Sequence, residues 1–263
     1  MVFPKEIQDI IGSRPYRADD IGKSRSQVFL FEDMVLKTEP VCENAAGERI
    51  MLSYLQGKLP VPKLLCSTEE DGLQYLLMSR LPGKMACHEK YLQNPKKLVP
   101  LLAEALHMIW AVDAADCPRK TDVRARLQMI RRDVEQGIVS MDDAEPETYG
   151  RGGFASPKDL FDYLERNIPQ EQLVFSHGDL CLPNVFLKDG RVSGFLDLGN
   201  AGLADPYQDI ALCLRSLRHN LEGKYAPPDA AYPHIDPDAL FYELGTQKDA
   251  EKMRYFILLD ELF

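Results

Sequence analysis

Apolar positions recur at strand spacing near the start of the chain and at helical spacing through most of the rest. Gln27 to Phe31 and Met34 to Thr38 are short runs of β-formers joined by Glu32–Asp33, and Leu73 to Ser79 is a third. Residues 3–12 carry Ile7, Ile10 and Ile11, and Asn44 to Gln56 carries Ile50, Met51, Tyr54 and Leu55 before a stop at Gly57, so both stretches predict helices. Leu59 to Leu65 is extended and punctuated by proline. Pro95 to Val112 is the clearest helix, with Leu98, Leu101, Leu102, Ala105, Leu106 and Ile109 on one stripe. Further helices are predicted over Asp122 to Ile138, from Ser156–Pro157 to before Pro169, and over Ile210 to Arg218, Ala239 to Leu244 and Ala250 to Leu262. Asp142 to Gly153 and Lys224 to Pro237 read as loops. The proline and glycine of Arg80 to Gly83 mark a boundary near residue 80. The expected class is α+β: a small antiparallel β-rich lobe over 1–79 and a larger, mainly helical lobe over 80–263, with a cleft between them as a natural ligand site.

Charge and cysteine usage narrow the partners. The 263 residues are 45% apolar and carry 31 basic against 41 acidic groups, a formal charge of −10. That balance argues against nonspecific binding to nucleic acid or acidic lipid and suits a cationic small molecule. The six cysteines form no CxxC pair and fit a reducing compartment. The start, MVFPKEIQDI, has no apolar signal core and no 18-residue apolar run exists, so a cytoplasmic chain without a membrane partner is expected, as a monomer or weak dimer.

The chemistry concentrates in Val174 to Asp209, which reads as strand, polar loop, strand, turn, strand and a charged loop. Polar groups set between apolar strands cost desolvation unless they are paired or hold a ligand. Asp179 and Asn184 lie on the polar loop, and Asp197 follows on the apolar strand VSGFLDLG. This set suits phosphoryl transfer. Asn184 and Asp197 offer the oxygen ligands that Mg²⁺ prefers, and Asp179 can orient a hydroxyl and accept its proton. Lys37, at a strand end, could span the phosphates of a nucleotide while Glu48, on the next helix, holds its rotamer. Gly22 to Val28, GKSRSQV, would lie over the phosphates, using backbone N–H groups or the hydroxyls of Ser24 and Ser26. His177 is expected to brace the loop by hydrogen bonding.

Nearly end to end, the chain resembles the aminoglycoside 3'-phosphotransferases, which share the two-lobed protein-kinase-like fold. The stretches that carry the resemblance are GKLPVPK (57–63), LLMS (76–79), VFSHGDL (174–180), NVFLKDGRVSGFLDLG (184–199) and the terminal ILLDELF. The resemblance implies a transferase that uses ATP or GTP with Mg²⁺. It makes Asp179 the catalytic residue, Asn184 and Asp197 the metal ligands, and Lys37 with Glu48 the phosphate clamp. It also implies Ser24 over the β-phosphate and Ser79, Arg80 and Leu81 as the strip whose backbone binds adenine. The aminoglycoside would lie among Asp142, Glu145, Glu147, Asp260, Glu261 and the carboxylate of Phe263. Clustered carboxylates attract and orient a polyammonium substrate.

The chain departs from that pattern in places. Val35 stands where relatives often place an aromatic against adenine, Asn200 stands where some carry a basic residue, the loop after Phe29 is shorter, and the acidic loop differs around Pro146 and Tyr149. Other readings of the same residues are a kinase of a choline-like or sugar substrate, a metal-dependent hydrolase built on His177, Asp179 and Asp197, and a nonenzymatic binder. The acidic chain end favours the polycation kinase, and a hydrolase leaves Lys37, Glu48 and Asn184 without a role.

Overall fold

The structure is a computed structural model that describes residues 3–19, 26–142, 144–236 and 238–263. In chain order its first elements are α1 (Lys5–Ile11), β1 (Arg17–Asp19), β2 (Gln27–Leu30), β3 (Met34–Pro40), α2 (Glu43–Tyr54), β4 (Leu64–Glu70), β5 (Leu73–Ser79) and β6 (Lys84–Met85). Then come α3 (Glu89–Leu92), α4 (Pro95–Trp110), α5 (Val123–Gln136), α6 (Pro157–Arg166), β7 (Val174–Ser176), β8 (Val185–Lys188) and β9 (Arg191–Phe195). The chain closes with β10 (Gly202–Ala204), α7 (Pro206–Leu221), α8 (Ala239–Leu244) and α9 (Ala250–Asp260). Contacts divide these elements into two compact units. One is Met1–Ala86 with Pro183–Ala201, and the other is Cys87–Leu182 with Gly202–Phe263.

The first unit is organised by an antiparallel sheet in the order β1-β2-β3-β5-β4. Side chains alternate across a strand, so β3 buries Met34, Leu36 and Thr38 and sends Val35, Lys37 and Glu39 to the opposite, half-buried face. The buried face packs Phe29, Phe31, Leu36, Tyr75 and Leu77 with Phe3, Ile7 and Ile11 from the α1 segment. A second sheet, β6-β8-β9, completes this unit. Its β8–β9 hairpin turns at Asp189–Gly190, both with positive φ, the conformation that a tight two-residue hairpin requires.

The second unit is mainly helical. The predicted stripe of α4 is buried through Leu98, Leu102, Ala105, Leu106 and Ile109, and β7 pairs antiparallel with β10. Side-chain caps start five of its helices: His88 accepts from Lys90 N–H, Asp122 from Ala125 N–H, Ser156 from Asp159 N–H, Asp205 from Tyr207 N–H, and Asp249 from Glu251 N–H and Lys252 N–H. With Asp205 as cap and Pro206 at the first position, α7 begins one turn earlier than its apolar pattern indicates. Among the described residues, no helix is long and apolar enough to cross a membrane.

Four short or half-exposed elements lie beyond the periodicity argument. β1 and β6 span three and two residues, too few for alternation to register, and α3 is a single turn. Strand β4 is longer, but none of its residues is buried, so it carries little apolar signal. One placement needs correction. The strand holding VSGF ends at Phe195, so Asp197 is not on it; it sits two residues beyond, at φ 57°. Aspartate enters that left-handed region more readily than most L-residues, because its short polar side chain can bond locally, but the conformation still costs some energy that neighbouring contacts must offset.

Candidate active site

In the first unit, the half-buried face of β3 meets α2. The Lys37 ammonium lies 2.6 Å from Glu48 Oε2, 3.3 Å from Glu39 Oε1 and 3.4 Å from Asp197 Oδ1. Three predicted residues are thus brought together, and a third carboxylate, that of Glu39, joins them. Glu39 was legible only as the i+2 neighbour of Lys37 on the same strand face. Burial works against the charge on Lys37, but Glu48, Asp197 and Glu39 outweigh it and hold the ammonium above its usual range. Burial also lifts the Glu48 carboxyl above the usual carboxylate range. Lys37 opposes the rise, while Asp197 and Glu39 reinforce it.

Asn184 closes a short 3₁₀ turn, Leu182–Asn184, and its carbonyl accepts the Leu196 N–H at 2.9 Å. That bond brings Asn184 to the backbone immediately before Asp197. The donor set tests well for Mg²⁺. An amide oxygen and a carboxylate oxygen are hard ligands, and three carboxylates against one ammonium leave an excess of negative charge that would repel phosphates unless a cation offset it. Among the described residues, no group of three or more His, Cys, Asp or Glu forms a closed metal cage. A site with two protein ligands, completed by phosphate oxygens and water, needs none.

The predicted adenine strip follows β5. Ser79 N–H donates to Lys63 O, its hydroxyl accepts from Lys63 N–H, and Arg80 N–H donates to Asp33 O. The Arg80 side chain donates to Phe31 O, and Leu81 packs its side chain against Gly194. Val35 stands opposite Met78 on β5 and Leu30 on β2. Ser24 and most of the Gly22–Val28 loop lie outside the described residues.

Asp179 belongs to the second unit, on the loop that follows β7. Its N–H donates to His177 Nδ1 at 3.4 Å, and Cys181 Sγ donates to its Oδ1 at 3.1 Å. Two residues not singled out from the sequence hold this loop. Asp209, fully buried on α7, accepts from Ser176 Oγ at 2.9 Å, Gly178 N at 3.0 Å and His177 N at 3.1 Å. Gly178 takes φ 82°, a conformation that glycine tolerates without strain. Arg126 on α5, also buried, donates to Gly178 O at 3.2 Å, and Gln208 donates to the same oxygen at 2.8 Å. Burial lowers the Arg126 pKa, while Asp260, Asp179 and Asp209 counter it. Arg126 sits among Arg124, Arg131, Arg132 and Asp133 on α5, and Asp209 ends the charged loop, so nothing in the sequence set either apart from solvated neighbours.

The predicted acidic pocket separates into two parts. Glu145, Asp260 and Glu261 lie in one network, but each is already held by a basic side chain. Arg215 pairs with Asp260 and, at 3.2 Å, with Glu261, while Arg218 and His219 hold Glu145 at 2.7 and 2.8 Å. Glu145 N–H donates to Glu261 Oε2 at 2.9 Å, tying the loop to the chain end. The Phe263 ring lies 4.3 Å from the Arg126 guanidinium. Asp142 and Glu147 stay exposed, outside this network.

Residues 19–241 match the phosphotransferase enzyme family. An aminoglycoside 3'-phosphotransferase from Enterococcus faecalis is 40% identical over 82% of this chain and 78% of its own length. Another, from Staphylococcus aureus, is 35% identical over 98% of this chain and 93% of its own. This chain belongs to the aminoglycoside 3'-phosphotransferase family. A solved aminoglycoside phosphotransferase from Streptomyces rimosus, in complex with ADP and streptomycin, superposes with a TM-score of 0.78 over 97% of this chain and 95% of its own, at 24% identity. The α+β, kinase-like architecture is therefore that of these phosphotransferases. For a phosphotransferase the division of groups is informative: the Lys37–Glu48–Asp197 cluster and Asn184 belong to one unit, and the Asp179 loop with its Asp209 and Arg126 supports belongs to the other.

Proposed function

We propose that the enzyme moves the γ-phosphoryl group of ATP or GTP to the 3'-hydroxyl of a 2-deoxystreptamine aminoglycoside, and so confers resistance to that class of antibiotic. The observation that carries the reading is the Lys37–Glu48 pair meeting Asp197 on a left-handed turn. Structural ion pairs rarely place a lysine among three carboxylates, whereas a lysine that binds phosphate beside a metal must stand near the metal's ligands. The ADP complex of the Streptomyces rimosus enzyme supports a nucleotide donor.

Each group then has a task. Lys37 spans the donor phosphates, and Glu48 fixes the rotamer that lets it do so. Asn184 and Asp197 would hold Mg²⁺, which supplies charge neutralisation at the phosphates when bound. Asp179 accepts the proton of the attacking hydroxyl. A bond forms between that oxygen and the γ-phosphorus, the bond from the γ-phosphorus to its bridging oxygen breaks, and the nucleoside diphosphate leaves with the electron pair. A loose transition state demands little basicity, so an ordinary carboxylate held in position suffices.

For the acceptor, Glu145, Asp260, Glu261 and the Phe263 carboxylate are the binding groups, with Asp142 and Glu147 as outer attraction. Because Arg215 and Arg218 already engage three of these, substrate ammonium groups compete with internal cations, and this competition selects for acceptors with several charges. The test is a coupled turnover assay on purified protein with ATP and GTP, comparing aminoglycosides that have and lack a 3'-hydroxyl. Turnover confined to those that have it is expected; turnover only with choline-like compounds or sugars would refute the reading.

A further inference from the structure

Helix α2 carries Glu48 and, one turn earlier on the same side, Asn44. Asn44 Nδ2 donates to Asn200 Oδ1 at 2.9 Å. The Asn44 amide also lies directly against Gly199, where any Cβ would overlap it. Both contacts fall on the turn that begins at Asp197. Asp197 holds the left-handed conformation, whose cost neighbouring contacts must offset. The turn is pinned on its upstream side by the bond from Leu196 N–H to Asn184 O, and on its downstream side by Asn44.

We propose that Asn44 and Asn200 are positioning residues for Asp197. Their bond holds the 197–200 turn against α2 and fixes the spacing between Asp197 and the Lys37–Glu48 pair. Helix α2 thereby sets two things at once, the rotamer of Lys37 through Glu48 and the seat of the metal ligand through Asn44. Where a basic side chain at position 200 would bring a charge to the turn, the neutral amide pair supplies geometry without altering the charge that Mg²⁺ meets. The inference rests on the phosphotransfer reading for its consequence, but the bond itself is testable without it.

The test uses the full chain with Asn44→Ala, Asn200→Ala, the double variant, Asn200→Asp and Gly199→Ala. An outer residue that orients a metal ligand changes metal affinity by about tenfold or more when removed. Each alanine variant should therefore raise the half-saturating Mg²⁺ concentration by about tenfold and weaken Mg²⁺-dependent ADP binding by calorimetry. The KM for the aminoglycoside should stay unchanged. In ligand-free protein, amide exchange over residues 196–201 should accelerate. The double variant should be no worse than the worse single one, as expected for two partners in one bond. Asn200→Asp keeps an acceptor for Asn44 and should retain wild-type exchange. Gly199→Ala should mimic Asn44→Ala, and should add nothing once Asn44 is already alanine.

Unchanged exchange and unchanged metal dependence in Asn44→Ala would overturn the proposal, as would additive losses in the double variant. A general folding defect would lower kcat and aminoglycoside affinity together, and that pattern would also count against it. If the wild-type chain phosphorylates no acceptor, the phosphotransfer reading falls, while the exchange data still decide whether the pair holds the turn.

Discussion

Replacing Asp209 by Asn probes how the catalytic loop is held, because the change removes one oxygen and a charge while keeping size and shape. The carboxylate serves three donors: Ser176 and Gly178 on Oδ1, and His177 on Oδ2. Asparagine can satisfy only one side. With its carbonyl kept toward Ser176 and Gly178, its amino group faces the His177 N–H, and two donors are left pointing at each other. An orphaned buried N–H costs about 2 kcal/mol, and each surviving bond falls from charge-assisted to neutral, a loss of about 1 kcal/mol. Removing the charge returns part of this, since burial lifts the Asp209 carboxyl above its usual range despite the three donors and His177. The net loss should be about 3 kcal/mol. Asp209→Ala orphans all three donors and opens a void in the core, so it should cost more.

Two measurements check this. Amide exchange at residues 174–182 should quicken by about two orders of magnitude in Asp209→Asn, which is the local-opening equivalent of that loss. Turnover should fall with it, while nucleotide affinity, which the proposed function assigns to groups of the other unit, should hold. Native-like exchange in Asp209→Asn, or equal effects of Asn and Ala, would show that the three bonds do not carry the loop and would refute the reasoning.

Other outcomes follow from the same geometry. Asp179→Ala should lower kcat by about 10²–10⁴-fold with nucleotide binding intact, and equal losses of both would contradict its role as base. Glu48→Gln should raise the KM for the nucleotide. Because the Glu48 carboxyl is raised, the pairing that orients Lys37 is present at high pH and is lost as pH falls through that raised value. The acid limb of kcat/KM for the nucleotide should therefore lie above the ordinary glutamate value of about 4.3, and should disappear in the Gln variant. Arg218→Gln releases Glu145 from a half-exposed pair and should lower the KM for a polycationic acceptor by no more than about fivefold, less in high salt; a rise would show that Arg218 helps to bind the substrate. Removing Glu261 and Phe263 should raise the aminoglycoside KM more than the nucleotide KM, and unchanged aminoglycoside kinetics would count against the chain end as a binding group.

Elements that depend on local spacing could be read from the chain. The α4 stripe and the hairpin of β2 and β3 are both expressed within a few turns or one strand–turn–strand unit. Lys37 and Glu48 were legible as a pair because a strand end and the next helix are close in sequence. Roles set by long-range pairing were not. Residues 183–201 join the first unit because β8 pairs with β6, and a two-residue strand leaves no periodicity to announce it. Glu39 falls beyond the strand predicted over Met34 to Thr38, and only the longer β3 puts it on the face of Lys37. Asp209 reads as the last residue of a charged loop, and Arg126 as one of several charges on α5.

The acidic pocket shows the same limit from the electrostatic side. Composition counts carboxylates but says nothing of their partners, and Arg215, Arg218 and His219 lie in a helix whose apolar face alone predicted it. A carboxylate already paired at 2.7–3.2 Å offers an incoming ammonium only the difference between two attractions. One charge on an acceptor therefore has little to offer against the internal cations, whereas several charges on one rigid substrate act together without separate entropic losses. The demand for a polycation thus arises from the pairing itself: neutralising Arg215 and Arg218 together should relax acceptor choice toward singly charged compounds, and the acidic residues alone would not have indicated that.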